Sequence, residues 1–177
     1  MKKSDVHRST RLAGLVRRFH TWPCLHQQTV AEHTWQVMRL YERIFGCPPV
    51  HVFLHILYHD VGEIRTGDIP YPLKRTNLTL KGEMDRLESE ALEDMGIDLP
   101  TLTDEEHIRF KFCDLLDCAE QGQYEARLGN QYMGIVADQR NGLDALLRKL
   151  SNTDRVRAHT YCIENGIQLY PMEESDG

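Results

Sequence analysis

His55-Ile56-Leu57-Tyr58-His59-Asp60-Val61-Gly62-Glu63 is the stretch on which the reading of this chain turns. Val50, Val52, Phe53, Leu54, Ile56, Leu57 and Tyr58 make the approach to it nearly all apolar. Such a segment reads as a helix buried on every side rather than an amphipathic one. An imidazole and a carboxylate at its end are then partly desolvated. Neighbouring side chains on a helix diverge by about 100°. His59 and Asp60 therefore serve one point only if it lies between them, and a divalent transition metal is such a point, because imidazole nitrogen and carboxylate oxygen both suit it. Glu63 follows His59 by four residues and Asp60 by three, which hangs it over the same point if the helix runs on. A His-Asp pair alone more often ends a core helix and opens a turn, so the weight rests on its company.

Composition narrows the class. A length of 177 residues predicts one domain, residues 1–177, with its own core. Apolar residues make up 41% and charged residues 27%, ordinary for a globular protein. The formal net charge of -6 disfavours a nucleic-acid polymer or an anionic membrane as partner, since both need a basic face. A small phosphorylated ligand needs only a few placed cations. Cys24, Cys47, Cys113, Cys118 and Cys162 form no CxxC pair and are odd in number, so they read as reduced thiols of a cytoplasmic protein. No early apolar run suggests a signal peptide, and no stretch approaches the roughly 20 apolar residues of a membrane span.

Helical periodicity accounts for most of the chain. Leu12, Leu15, Val16 and Phe19 predict a helix over about 8–19, which His20-Thr-Trp-Pro-Cys24 interrupts. Val37, Leu40, Tyr41, Ile44 and Phe45 form the stripe of a second helix over about 30–45, with His33 on its inward face. Pro48-Pro49 separates it from the central segment. Gly67, Pro70 and Pro72 make residues 64–74 a loop. Further helices are expected over about 80–95, 104–128, 135–150 and 153–165, with Thr103 and Glu106 as a capping box. The acidic tail 171–177 is expected to be disordered. No alternating strand, repeat or linker stands out, so the fold class is an all-α helical bundle with one core.

Three segments then offer metal ligands: His33, the pair His59-Asp60, and either Asp114 or Asp117. The last two interrupt the apolar run Phe110-Lys-Phe-Cys-Asp-Leu-Leu-Asp-Cys-Ala119, where a carboxylate must be paired, hydrogen-bonded or ligating. Spacing does not choose between them. The ordered set Glu32-His33, His59-Asp60-x-x-Glu63, Thr66-Gly67-Asp68-x-Pro70-x-Pro72-x-Lys74 and Lys111-x-x-Asp114 resembles the HD-domain phosphohydrolases. Within them it resembles the small 5'-deoxynucleotidase branch, which includes phage dATP triphosphohydrolases of the DatZ type. The likeness runs from about residue 17 to residue 120.

The resemblance implies an HD-domain bundle with His33, His59, Asp60 and Asp114 as ligands, and Asp117 as a supporting acid. It implies a divalent transition metal, with Co, Mn or Zn foremost and Mg, Fe or Ni also compatible. Glu63 would orient or deprotonate the attacking water, assisted by Asp68. Arg18 lies fifteen residues before His33, where the branch has a phosphate-binding arginine, and Arg17 competes for that part. Lys74 matches the loop lysine. In the bacterial nucleotidases a tryptophan directly follows the arginine; here Phe19 does, and Trp22 comes later, so either aromatic is a candidate to stack on base or sugar, with His20 beside them. The implied function is hydrolysis at the α-phosphorus of a deoxynucleotide. The phrase Arg18-Phe-His-Thr-Trp-Pro and the short length favour a dATP-type triphosphohydrolase. The alternatives are a 5'-deoxynucleotidase acting on dNMPs and a non-catalytic nucleotide-sensing module. The family also implies a homo-oligomer, in the host cytoplasm if the gene is phage-borne.

Overall fold

The computed structural model describes residues 9–69, 76–134 and 138–170. The chain groups into two compact units, one of Met1–Met38 with Pro49–Leu102, the other of Arg39–Pro48 with Thr103–Gly177. Among the described residues there are helices and no strand, apart from one isolated antiparallel bridge between Arg17 and Thr29. No helix among them is long and apolar enough to cross a membrane.

In the first unit α1 is short, Thr10–Ala13, opened by the Ser9 side chain, which accepts from the Leu12 N–H at 3.4 Å. The helix expected to reach Phe19 stops here. Backbone pairing with a later segment replaces the helical ladder: the N–H of Val30 donates to the Val16 carbonyl, and that of Arg18 to the Gln28 carbonyl, both at 2.9 Å. Gly14 permits the turn-off, because a Cβ there would lie 3.2 Å from the Ala31 methyl. Tertiary pairing overrides a modest helical preference.

Helix α2, Val30–Phe45, begins with a reciprocal cap. The Thr29 N–H donates to Glu32 Oε2 at 2.7 Å, and the Glu32 N–H to Thr29 Oγ1 at 3.3 Å. Its buried positions in the first unit are Val30, His33, Thr34 and Val37. Helix α3, Val50–Tyr58, corrects an expectation. Val52 and Ile56 are buried, but Val50 is 75% exposed and Phe53 and Leu57 are also open, at i, i+3 and i+7 on one face. A segment that is apolar all round carries no polar stripe to mark its outer face, so sequence alone cannot tell an apolar surface from a core.

The helix does not continue through Glu63 either. His59 closes α3, the Val61 N–H donates to the Tyr58 carbonyl, and Glu63–Thr66 form the separate short helix α4. The break brings Gly62 against α5, Leu78–Asp94: a Cβ on Gly62 would stand 2.6 Å from the Glu88 carbonyl oxygen. Thr66 Oγ1 donates to Glu88 Oε1 at 3.0 Å and Arg65 Nη2 to Asp94 Oδ2 at 2.7 Å, which ties α4 down along its length. Ala13, Val61 and Leu92 form a core here with Tyr58, Ile64, Met95 and Ile97 packed on it.

In the second unit α6, Asp104–Arg127, starts with the expected capping box of Thr103 and Glu106. It buries Phe110, Phe112, Cys113, Leu116 and Ala119. A 3-10 turn at Gln131–Met133 leads to α7, Arg140–Leu147, and α8, Asn152–Glu164. Gly142 lets α7 sit on the Leu115 side chain. Arg39 donates to Tyr161 Oη at 3.0 Å and pairs with Glu120, which in turn accepts from Tyr161 at 2.8 Å. The helix expected from residue 135 starts later, at Arg140, with Gln139 at its N-cap and Asp138 outside it; residues 135–137 and the tail 171–177 lie outside the described residues.

Candidate metal and phosphate site

Two helix ends of the first unit bring His33, His59 and Asp60 together. His33 lies in the opening turn of α2 and is 0% exposed. His59 sits at the end of α3, where its Nδ1–H donates to the Ile56 carbonyl at 2.8 Å. That bond fixes the tautomer in which Nε2 carries the lone pair, the usual way a protein orients an imidazole toward a metal. His59 Nε2 is 3.2 Å from His33 Nε2 and 3.3 Å from Asp60 Oδ1, and His33 Nε2 is 3.5 Å from Asp60 Oδ2. Donors on one tetrahedral ion with bonds of ~2.1 Å sit about 3.4 Å apart. The observed spacing is of that size, and nitrogen, nitrogen and oxygen donors within 4.8 Å of one another fit a divalent cation.

The electrostatics agree with an ionised ligand. Burial pushes the Asp60 carboxyl upward, but the imidazoles of His59 and His33 and the Arg18 guanidinium outweigh it and hold the group below the usual carboxylate range. Arg18 thus acts on the cluster electrostatically, and it is buried. Its competitor Arg17 is exposed and forms the bridge to Thr29. Arg18 is held on several sides. Its N–H donates to the Gln28 carbonyl at 2.9 Å, its Nη1 to Gln28 Oε1 at 3.5 Å, and its guanidinium carbon lies 5.4 Å from the centre of the Phe19 ring. The Phe19 N–H donates to Asp68 Oδ2 at 3.0 Å. Gln28, also buried, was missed by the sequence reading. A glutamine in a loop carries no signal of its own before the Arg17–Thr29 pairing is known.

Glu63 opens α4 and is 5% exposed, with its N–H donating to the Asp60 carbonyl at 3.1 Å. A buried carboxylate one turn past His59 and Asp60 is suited to handling a water proton. Trp22 and Phe19 are half-buried and His20 is exposed. Asp114 belongs to the second unit, half-buried on α6, and accepts from Lys111 Nζ at 2.9 Å. Asp117 is only 2% exposed, a burial that suits a supporting acid. Lys74 lies outside the described residues.

Comparison with known proteins supplies the family. The model described as "5'-deoxynucleotidase YfbR-like" matches residues 10–165. A 5'-deoxynucleotidase of Erwinia tasmaniensis is 24% identical over 134 residues, 69% of this chain and 65% of that protein. The 5'-deoxynucleotidase VP0926 of Vibrio parahaemolyticus is 24% identical over 170 residues, 79% of this chain and 88% of that protein. A Vibrio atlanticus 5'-deoxynucleotidase is matched over only 52% of its length, so this chain spans half to two thirds of some of these relatives. Among solved structures, the HD phosphohydrolase (DatZ) of cyanophage S-2L, bound to dA and one catalytic Zn2+ ion, superposes with a TM-score of 0.66. That likeness covers 94% of this chain and 96% of the phage chain at 22% identity, and it carries the fold. The all-α architecture is that of the HD phosphohydrolases, and the chain belongs to the 5'-deoxynucleotidase YfbR-like family.

Proposed function

We propose that this protein is a metal-dependent hydrolase that cleaves deoxynucleotides at the α-phosphorus. The observation that carries the reading is the convergence of His33, His59 and Asp60 beside the buried cation of Arg18. On this reading these three residues hold the cation. Asp114 adds a carboxylate, on the strength of the Lys111-x-x-Asp114 motif alone. When bound, the cation supplies Lewis acidity toward a water and a phosphoryl oxygen. Glu63 takes the proton of the attacking water. Arg18 grips phosphate oxygens through its guanidinium fork, with Lys74 as a further cation. The water oxygen bonds to the α-phosphorus, the bond to the sugar's 5'-oxygen breaks, and the deoxynucleoside leaves with a proton. Trp22, Phe19 and His20 border base and sugar.

The favoured substrate is a dNTP, dATP foremost, releasing triphosphate, because of the phrase from Arg18 to His33 and the short chain. The second reading is a dNMP 5'-deoxynucleotidase, and the family model and the curated relatives favour it. Both reactions use the same ligands and differ in the room and charge offered to the outer phosphates. Residues 1–177 act as one functional domain in this account. Self-association belongs to it as well, supported by the exposed apolar face of Val50, Phe53 and Leu57, and so does a cytoplasmic setting.

Incubation with Co2+ and either dATP or dAMP, with products separated by anion exchange, tests the proposal. Triphosphate from dATP supports the first reading. Phosphate from dAMP without triphosphate from dATP supports the second. Release from neither, or turnover that Glu63→Ala leaves unchanged, contradicts the enzyme reading and favours a non-catalytic module.

A further inference from the structure

Phe19 is the one described non-glycine residue with positive φ, at 55°. An aromatic side chain rarely adopts that conformation, and it persists only where surrounding groups over-determine it. Three groups bond its backbone, the Cys24 thiol among them, which donates to the Phe19 carbonyl at 3.8 Å. The Asp68 carboxylate, forty-nine residues away in sequence, accepts its N–H at 3.0 Å, and its carbonyl accepts the Trp22 N–H at 2.9 Å. The Asp68 bond is a charge-assisted bond to a backbone donor, stronger than a neutral one. The ring of this same residue forms the floor under the Arg18 guanidinium. The left-handed elbow at Phe19 therefore fixes the ring on which the Arg18 guanidinium rests.

We propose that Asp68 is a positioning residue: its carboxylate latches the Phe19 elbow and so holds the Arg18 guanidinium in place over the Phe19 ring. This rests on the proposed phosphate-gripping role of Arg18 for its kinetic consequence only. The latch differs from the proton-handling assistance that the motif implies for Asp68. A latch needs an acceptor oxygen and no titratable proton, so an amide can replace the acid. A general acid or base cannot be replaced that way.

Amide hydrogen exchange and steady-state kinetics on the full-length protein separate the two. The latch predicts that Asp68→Ala speeds exchange at the Phe19 amide and raises KM by about tenfold to a hundredfold, the size of one charge-assisted bond. It predicts that Asp68→Asn keeps both near the wild-type values, since its side-chain oxygen still accepts. Co2+ uptake should be unchanged in both variants. The proposal is overturned if the Phe19 amide exchanges equally fast in wild type and Asp68→Ala. It is also overturned if Asp68→Asn loses as much kcat as Asp68→Ala while its Phe19 amide stays protected. Wild-type protein inactive on every deoxynucleotide would defeat the functional proposal, and the exchange comparison would still decide the latch.

Discussion

Cys162 is fully buried on α8, and burial, with Glu120 adding to it, pushes its thiol up to about 12. Cys113, equally buried on α6, is raised well above the ordinary thiol range by burial first and by Asp114 next. An unfolded thiol titrates near 8.5. The folded chain thus keeps protons that the unfolded chain gives up, so these groups stabilise the fold fully below about pH 8.5, and that contribution is lost as pH climbs from there. Urea unfolding at pH 7.5 and pH 10 should show a larger drop in stability for wild type than for Cys162→Ala, by about 2 kcal/mol at most. An equal drop in the two would mean that Cys162 is not shielded as described. Legibility at this scale was uneven. His33 could be read from its place on the Val37–Leu40–Ile44 stripe, because a buried helix face repeats. Gln28, the Arg18–Gln28 bonds and the Phe19 elbow could not, because they depend on backbone pairing between residues far from any periodic signal.

At the level of elements, the break between α3 and α4 decides how Glu63 is presented. The sequence leaves open whether the helix runs on through Glu63, and the chain turns at His59–Gly62 so that α4 can seat on α5. Gly62 is required there because backbone atoms of Glu88 occupy the space a side chain would need, at 2.6 Å and 2.9 Å from the missing Cβ. Backbone cannot yield as the tip of a flexible side chain can. Gly62→Ala should therefore destabilise the protein by about 1–3 kcal/mol, the usual cost of forced overpacking. Gly82→Ala, on the open face of α5, should not destabilise it, since nothing lies within 4 Å of its added methyl. Thermal unfolding of both variants checks this, and similar melting temperatures would refute the close seating of α4 on α5. Long amphipathic elements were readable: α2 and α6 start and stop within a few residues of expectation, α2 from its apolar stripe and Pro48-Pro49, α6 from the capping box at Thr103. Short elements governed by tertiary contact, α1 and α4, were not.

Over the whole molecule, the all-α class follows from helical periodicity with no alternating strand, and the family match over residues 10–165 agrees with the ordered motifs. Residue types at motif positions identified the cluster. Its geometry needed the fold, since His33 and His59 are twenty-six residues apart and their ring nitrogens meet at 3.2 Å. Everything chemical in this account depends on those two imidazoles and Asp60 sharing a cation. The direct test is a Co2+ titration of metal-stripped protein, followed by calorimetry and by visible absorption, for wild type and His59→Ala. One tightly bound Co2+ per wild-type chain is expected, with affinity at least about a hundredfold weaker in the variant, since loss of an outer-shell partner alone costs about tenfold to a hundredfold. No uptake by the wild type, or equal uptake by His59→Ala, would contradict it.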